Sequence, residues 1–299
     1  MRYPIRLSLA SLVVVAASQA ASAQHAGVIL FGEPNPAAAN APKEQRHVHG
    51  ITAPYYNEDS FVTTDIRVWY AYHDFPNFGA LGGGTGQVAA VQARLALTNQ
   101  IQVVAYKDGV TFLDTGLIEE DGFNDIGAGL KWNFWQDFEN QFHAAVGAGY
   151  EFPWGDGDVL QNDANVRFWV SLDKGFDRFH LGGTANFLIE TGDDDALGNS
   201  DRFMWNVRAD YYACEWFSPV INLNGFHALD TDDEVVPFSG VDLMNLGGGD
   251  DVVTIGLGGE FRPIPDEPNL GVRFAYETPL TQGDDLYGFR WTFSLVWAF

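Results

Sequence analysis

Polar and apolar residues alternate along most of this chain. In the stretch NDIGAGLKWNF, for example, Ile126, Leu130 and Phe134 share one face with Ala128 and Trp132. A period of two is that of a β-strand, whose successive side chains point to opposite faces. About twelve segments follow this rule, each close to the roughly 9 to 11 residues that a tilted strand needs to cross a bilayer. No helical period of comparable length competes.

The links between these segments alternate in length. Short links at 99–100, 135–140, 174–177, 215–218 and 263–268 are separated by long links at 108–122, 153–164, 191–201 and 230–251. In outer-membrane barrels the short turns are periplasmic and the long loops are external. The pattern predicts an all-β fold, a closed antiparallel transmembrane β-barrel of about twelve strands, even in number, with both termini in the periplasm. A soluble β-sandwich is the alternative, but its long loops would have no reason to lie at one end.

The beginning of the chain divides into two parts. Residues 1–23 combine a basic start, an apolar stretch from Leu7 to Ala17 and small residues ending at Ala23, which predicts a cleaved secretory signal and export to the bacterial outer membrane. Residues 24–60 are rich in Pro, Ala and Asn and do not alternate, so they form an N-terminal arm or linker. Two interpretations stay open for this arm, a plug or gate in the lumen and a disordered periplasmic tail. The barrel is expected over 61–299.

The last segment, GFRWTFSLVWAF, has one wholly apolar face that ends at Phe299. We interpret this face as lipid-facing, with its terminal aromatic at the membrane interface. The segment resembles the C-terminal recognition strand of bacterial outer-membrane proteins, which the barrel-assembly machinery reads. The resemblance implies that Trp297 and Phe299 form an assembly signal.

A second resemblance concerns the strand NDIGAGLKWNF and the glycine-rich strand FHAAVGAGYEFPWGDG that follows it. With the short turn between them, they resemble the phenol-degradation meta-pathway outer-membrane family of transporters. This resemblance implies an outer-membrane transporter whose solute is hydrophobic or aromatic. It brings no established functional residues.

Charge excludes one class of partner. Without the predicted signal the chain has 14 basic and 40 acidic residues, a formal charge of −26. Nucleic acid is therefore not an expected partner, because phosphate binding requires clustered Lys and Arg. Acidic runs in the long links, such as GDDDALGNSD and DTDDE, could bind divalent cations that tie the loops to lipopolysaccharide, or could form a solvated acidic surface.

The faces opposite the apolar ones carry charged residues of both signs, which predicts a polar lumen. The candidates for lining it are Arg67, Arg94, Lys131, His143, Glu151, Arg167, His180, Glu190, Arg202, Arg208, Asp210, Glu260, Arg273, Glu277 and Arg290. Folding the strands about their links predicts four cross-strand pairs, Glu151 with Arg167, Glu190 with Arg202, Glu260 with Arg273, and Glu277 with Arg290. These residues either stabilise a narrow polar core or line a path for a solute.

Two groups of residues could form a chemical site instead. Ser171, Asp173 and His180 are the best candidates for a lipid-hydrolysing site, since the turn at 174–177 brings them onto neighbouring inward positions. His47 and His49 have a spacing that a strand could present to a metal, but a third ligand is absent. We therefore expect no catalytic residues, no metal and no cofactor.

The sequence predicts an outer-membrane barrel that mediates passage of a small solute. The alternatives are a lipid-hydrolysing enzyme and a purely structural barrel. The expected partners are outer-membrane lipid, lipopolysaccharide, the barrel-assembly machinery and the solute.

Overall fold

The computed structural model describes residues 27–79, 81–159, 161, 164–191, 201–229, 251–264, 269–281 and 287–299. The predicted signal at 1–23 and most of the acidic runs, at 192–200, 230–250 and 282–286, lie outside the described residues. No helix in the described ranges is long and apolar enough to cross a membrane.

Fourteen strands and three short helices make up the described structure. The strands are β1 (Asp65–Phe75), β2 (Gly84–Ala96), β3 (Ile101–Lys107), β4 (Val110–Thr115), β5 (Glu119–Phe123), β6 (Ile126–Asp137), β7 (Phe142–Phe152), β8 (Asn165–Phe176), β9 (Phe179–Glu190), β10 (Arg202–Tyr211), β11 (Phe217–Ala228), β12 (Val252–Phe261), β13 (Leu270–Pro279) and β14 (Phe289–Ala298). The helices are α1 (Pro36–Ala39) and two 3₁₀ turns, Lys43–Gln45 and Gly157–Val159.

The fourteen strands form twelve wall strands. β2 pairs with β4 along one half and with β3 along the other. β3 in turn pairs with β6, and β4 pairs with β5. Therefore β3 and β4 together make one interrupted wall strand, and β5 and β6 make the next. The prediction of a long loop at 108–122 is wrong, because most of these residues form strands β4 and β5, which continue the wall beyond the interruption.

The barrel closes where the first strand pairs with the last. β1 is antiparallel to both β2 and β14, and each remaining wall strand pairs with its neighbours in the sheet. Pairing of the first strand with the last closes the wall, as a bilayer requires of a spanning sheet. Within the described residues, β5 pairs with β4 alone. The predicted fold, a closed antiparallel barrel of twelve strands, is confirmed.

The alternation in sequence becomes an outside and an inside. Along β8, Phe168, Val170 and Leu172 are exposed, whereas Arg167 and Trp169 are buried. An apolar exterior around a polar interior is the reverse of a soluble barrel and suits a hydrocarbon surrounding.

The last residue is bonded to the start of the barrel. The Phe299 amide donates to the Thr64 carbonyl at 2.8 Å, and the Phe299 carbonyl accepts from Gly27 and Val28 at 2.9 and 3.2 Å. Its ring stacks on Trp297 with centroids 5.3 Å apart.

Phe299→Asp should reduce the amount of folded, heat-modifiable barrel in the outer membrane several-fold. The change removes the ring stacked on Trp297 and places a charge at the membrane interface. Phe299→Tyr, which keeps the aromatic ring, is the matched control and should assemble normally. Equal folded yields for the Asp and Tyr variants would contradict the predicted assembly signal.

Candidate functional site

The interior of the barrel is occupied by residues 46–64, which we call the luminal segment. It comprises the end of the predicted N-terminal arm and the four residues that precede β1, which were predicted to belong to the barrel. All of it except Gly50, Pro54 and Thr64 is buried. It begins among the short turns, where Arg46 contacts Glu260, and it ends there too, where the Gln102 side chain donates to the Thr63 carbonyl.

Between these two points the segment rises through the lumen and turns back. Tyr55 marks its far point, since the Tyr55 hydroxyl donates to the Asp108 carbonyl beside the wall interruption. Ala53 has a positive φ of 47° in this turn, and its carbonyl accepts from the amides of Tyr56 and Asn57 at 3.0 Å. The two halves of the segment are so close that a Cβ at Gly50 would lie 1.9 Å from Asn57 Cγ, so any larger residue there would have to displace the buried Asn57 side chain.

Wall side chains donate hydrogen bonds to the backbone carbonyls of the luminal segment. Arg167 bonds the carbonyls of Tyr55 and Tyr56 at 2.9 and 3.2 Å, and Lys131 bonds that of Asp59 at 3.0 Å. Further donors of this kind are Gln92, Gln102, Asn133, Ser171, Thr184 and Asn186. Irregular backbone at membrane depth needs such partners, because unsatisfied polar groups are costly there.

Two carboxylates of the luminal segment meet cations of the wall. Glu58 contacts Arg94 and lies 3.6 Å from Lys131 Nζ. Asp59 lies 3.5 Å from the same Nζ, 3.6 Å from Arg67 Nη2, and also contacts His49. In addition, the Ser60 hydroxyl donates a hydrogen bond to Asp173 Oδ2 at 2.6 Å.

Basic residues are concentrated inside the barrel although the protein is strongly acidic. Of the 14 Lys and Arg residues in the described ranges, eleven are buried, compared with nine buried Asp and Glu residues. Ten of these cations belong to the wall and its turns, and only Arg46 belongs to the luminal segment. The wall therefore has more buried positive than negative charge.

The structure buries fourteen of the fifteen residues predicted to line the lumen, and Glu190 is half-buried. Two predicted pairs are present: Glu260 Oε2 lies 2.7 Å from Arg273 Nε, and Glu277 Oε2 lies 3.6 Å from Arg290 Nη1. That these residues line a solute path stays a prediction.

The other two predicted pairs are wrong by two residues. Glu151 stands opposite Asn165 and contacts Lys107 instead of Arg167. Arg202 stands opposite Leu188, two positions from the predicted Glu190. A shift of two keeps each residue on its face, so these residues still face the lumen although each stands opposite a different residue.

The candidate hydrolase residues are not brought together as a catalytic set. The Ser171 hydroxyl donates to the Glu58 carbonyl at 2.9 Å, and Asp173 binds Ser60 and Arg208. His180 stands opposite Gly175 and bonds Asp210 at 2.7 Å.

The two histidines of the arm also separate. His49 contacts Asp59, whereas the His47 ring stacks on His180 with centroids 4.3 Å apart. His47, His180 and Asp210 have potential ligand atoms within 4.8 Å of one another, so these three residues could hold a metal ion. His49 is not part of this set, and the wall supplies two of its three residues, His180 and Asp210.

An apolar layer lies inside the barrel on the long-loop side of the luminal segment, and the sequence interpretation missed it. Its buried members include Phe75, Val88, Leu113, Phe226 and Tyr287, and Tyr55 packs against the same cluster. The alternation places these residues on the inward face near the external ends of the strands, where polar residues were expected. Apolar residues at such inward positions are the sequence feature that could have revealed the layer.

A closed barrel with an apolar exterior and a charged interior defines the class: this is a transmembrane β-barrel of the bacterial outer-membrane type. No family model matches the chain, and no curated protein matches it in sequence. The resemblance to the phenol-degradation meta-pathway family is therefore not confirmed.

Solved outer-membrane barrels are similar to it in structure. A structure of KdgM porin is 10% identical, with a TM-score of 0.45, over 78% of this chain and 99% of that one. The translocator domain of autotransporter NalP from Neisseria meningitidis is 10% identical, with a TM-score of 0.45, over 80% of this chain and 89% of that one. The transport unit of the autotransporter AIDA-I from Escherichia coli is 14% identical, with a TM-score of 0.44, over 79% and 90%.

Proposed function

We propose that this protein is an outer-membrane channel for a small solute and that the luminal segment is the plug that closes it. One observation carries the proposal: the segment enters and leaves the lumen at the same end of the barrel. Arg46 lies beside Glu260 near the short turns, and the Thr64 hydroxyl is bonded to the Val28 carbonyl and the Ala96 amide. The segment can therefore withdraw as a loop without threading through the barrel.

The contacts that hold the plug are compatible with its release. Except for the packing of Tyr55, Phe61 and their neighbours, they are hydrogen bonds and ion pairs to wall groups that water or a solute can replace. Wall side chains alone can fill a barrel of about eight strands, and the interior widens as strands are added. Here a separate stretch of chain fills it, and this favours a gate.

The test is the conductance of the purified protein in a planar bilayer. The unaltered chain should open rarely, whereas Glu58→Gln with Asp59→Asn should open more often because the plug loses its ion pairs with Arg94, Lys131 and Arg67. A loss of about 1.4 kcal/mol of plug binding would raise a small open fraction about tenfold. Glu33→Gln, at an exposed position of the arm, is the matched control.

Absence of conductance in both the unaltered and the double variant, with the barrel folded as judged by heat-modifiable mobility, would contradict the channel proposal. That result would support the structural alternative. The family resemblance implies that the solute is hydrophobic or aromatic.

A further inference from the structure

Three wall cations converge on the plug at one level of the lumen. Arg67 lies on β1, Arg94 on the neighbouring β2, and Lys131 on β6. All three are buried, and all three contact Glu58, Asp59 or both.

The charge balance of this cluster depends on the plug. Among the described residues, the wall carboxylate that pairs with these three cations is that of Asp65. It lies 2.8 Å from Arg67 Nε and 3.7 Å from Arg94 Nη1. With the plug in place, three cations face three carboxylates. After withdrawal of Glu58 and Asp59, three cations would face one. Partly desolvated, uncompensated cations are costly, so the open lumen should recruit an anion at this point.

Two buried donors near the cluster have no hydrogen-bond acceptor among the described residues. They are Nη1 of Arg94 and the indole Nε1 of Trp69. Trp69 follows Arg67 by two positions on β1, so both point into the lumen about 7 Å apart along the strand. Buried donors are normally satisfied, and these two could donate to an anion that replaces the plug.

The same place borders apolar surface. The Trp69 ring packs edge-on against Tyr55 of the plug at 4.9 Å, and both belong to the apolar layer on the long-loop side. Withdrawal of Tyr55 would leave an indole face beside the cations. A ligand for this place would combine a negative group with an apolar body.

We propose that Arg67, Arg94 and Lys131 form a binding site for the carboxylate of a small amphipathic organic anion, and that Glu58 and Asp59 of the plug occupy this site in the closed state. The inference rests on the proposed function, because the site is free only when the plug withdraws. Plug and solute then compete for the same cations, and solute binding favours the open state.

Binding of sodium benzoate, measured by calorimetry on the purified full-length protein, tests the site. Glu58→Gln with Asp59→Asn should bind benzoate at least about tenfold more tightly than the unaltered chain, because the competing carboxylates are gone. Adding Arg94→Gln and Lys131→Gln to that variant should reverse the gain. Sodium acetate and benzyl alcohol, which carry only one half of the chemistry, should bind more weakly than benzoate.

A second measurement uses the unaltered chain and so does not depend on the variants folding. Benzoate at constant ionic strength should raise the open probability in a planar bilayer at least about tenfold. Acetate and benzyl alcohol should have much smaller effects.

Equal effects of benzoate and acetate, or of benzoate and benzyl alcohol, would overturn the amphipathic class. Benzoate binding that ignores the loss of Arg94 and Lys131 would overturn the site. Conductance that increases in the Glu58 and Asp59 variant without any benzoate effect would overturn this inference and leave the channel proposal standing. Benzoate binding without conductance would overturn the channel proposal and leave the binding site standing.

Discussion

Glu260→Gln should lower the free energy of unfolding of the barrel by about 3 to 5 kcal/mol, the usual cost of breaking a buried ion pair by removing one partner. The Glu260 carboxylate is fully buried and holds three guanidinium groups, with Arg273 at 2.7 Å, Arg46 at 3.1 Å and Arg262 at 3.2 Å. Loss of its charge leaves three buried cations close together without an anion, and their mutual repulsion adds to the desolvation cost.

Urea unfolding of the refolded protein in detergent, followed by tryptophan fluorescence, measures this effect. Glu139→Gln is the matched control, because Glu139 is exposed in a short turn and the substitution is chemically the same. The control should change the unfolding midpoint little, since exposed charges contribute little to stability. Equal midpoints for the Glu260 variant and the control would mean that water solvates this network.

Arg167→Met should loosen the plug. Arg167 donates to the carbonyls of Tyr55 and Tyr56 at the far point of the luminal segment, and its guanidinium lies 4.5 to 5.1 Å from the rings of Tyr56, Tyr106 and Trp169. Hydrogen bonds from a charged donor contribute about 1.5 to 3 kcal/mol each. A Met at this position would fill part of the volume but could not donate.

The expected result is an open probability at least about tenfold above that of the unaltered chain, together with faster proteolysis within residues 46–64. Arg178→Met is the matched control, because Arg178 is exposed in the turn before β9. The variant and its control should have similar amounts of folded barrel, since the wall strands keep their backbone pairing. An unchanged open probability in the Arg167 variant would show that the far point of the plug is held by other contacts.

Both wrong register predictions lie across long connections, although Glu277 and Arg290 stand opposite each other across the link at 280–288 as predicted. Glu260 and Arg273 were paired across the short turn at 263–268, and their pairing is present in the structure. Glu151 with Arg167 and Glu190 with Arg202 were paired across the long links at 153–164 and 191–201, and both were displaced by two residues. A short turn fixes the register of its hairpin, whereas a long loop allows several registers that leave every face unchanged.

The arm could not be assigned from sequence because its partners are remote. The Ser171 hydroxyl and the Glu58 carbonyl are separated by 113 positions, as are Ser60 and Asp173. Its own residues lack a period, because a segment held by wall side chains does not need the regular backbone of a helix or strand. The sequence therefore supports a plug and a disordered tail equally.

The sequence by itself determined the barrel, its strand count and the inward or outward direction of residues such as Arg94, Lys131 and Phe168. It could do so because lipid on one side and a polar lumen on the other impose a period of two on every wall strand. Only the tertiary structure decided that Glu58 and Asp59 meet Arg94, Lys131 and Arg67, and that an apolar layer lies beyond Tyr55. Those contacts depend on where the closed wall places strands distant in sequence, and that placement leaves no period in the chain.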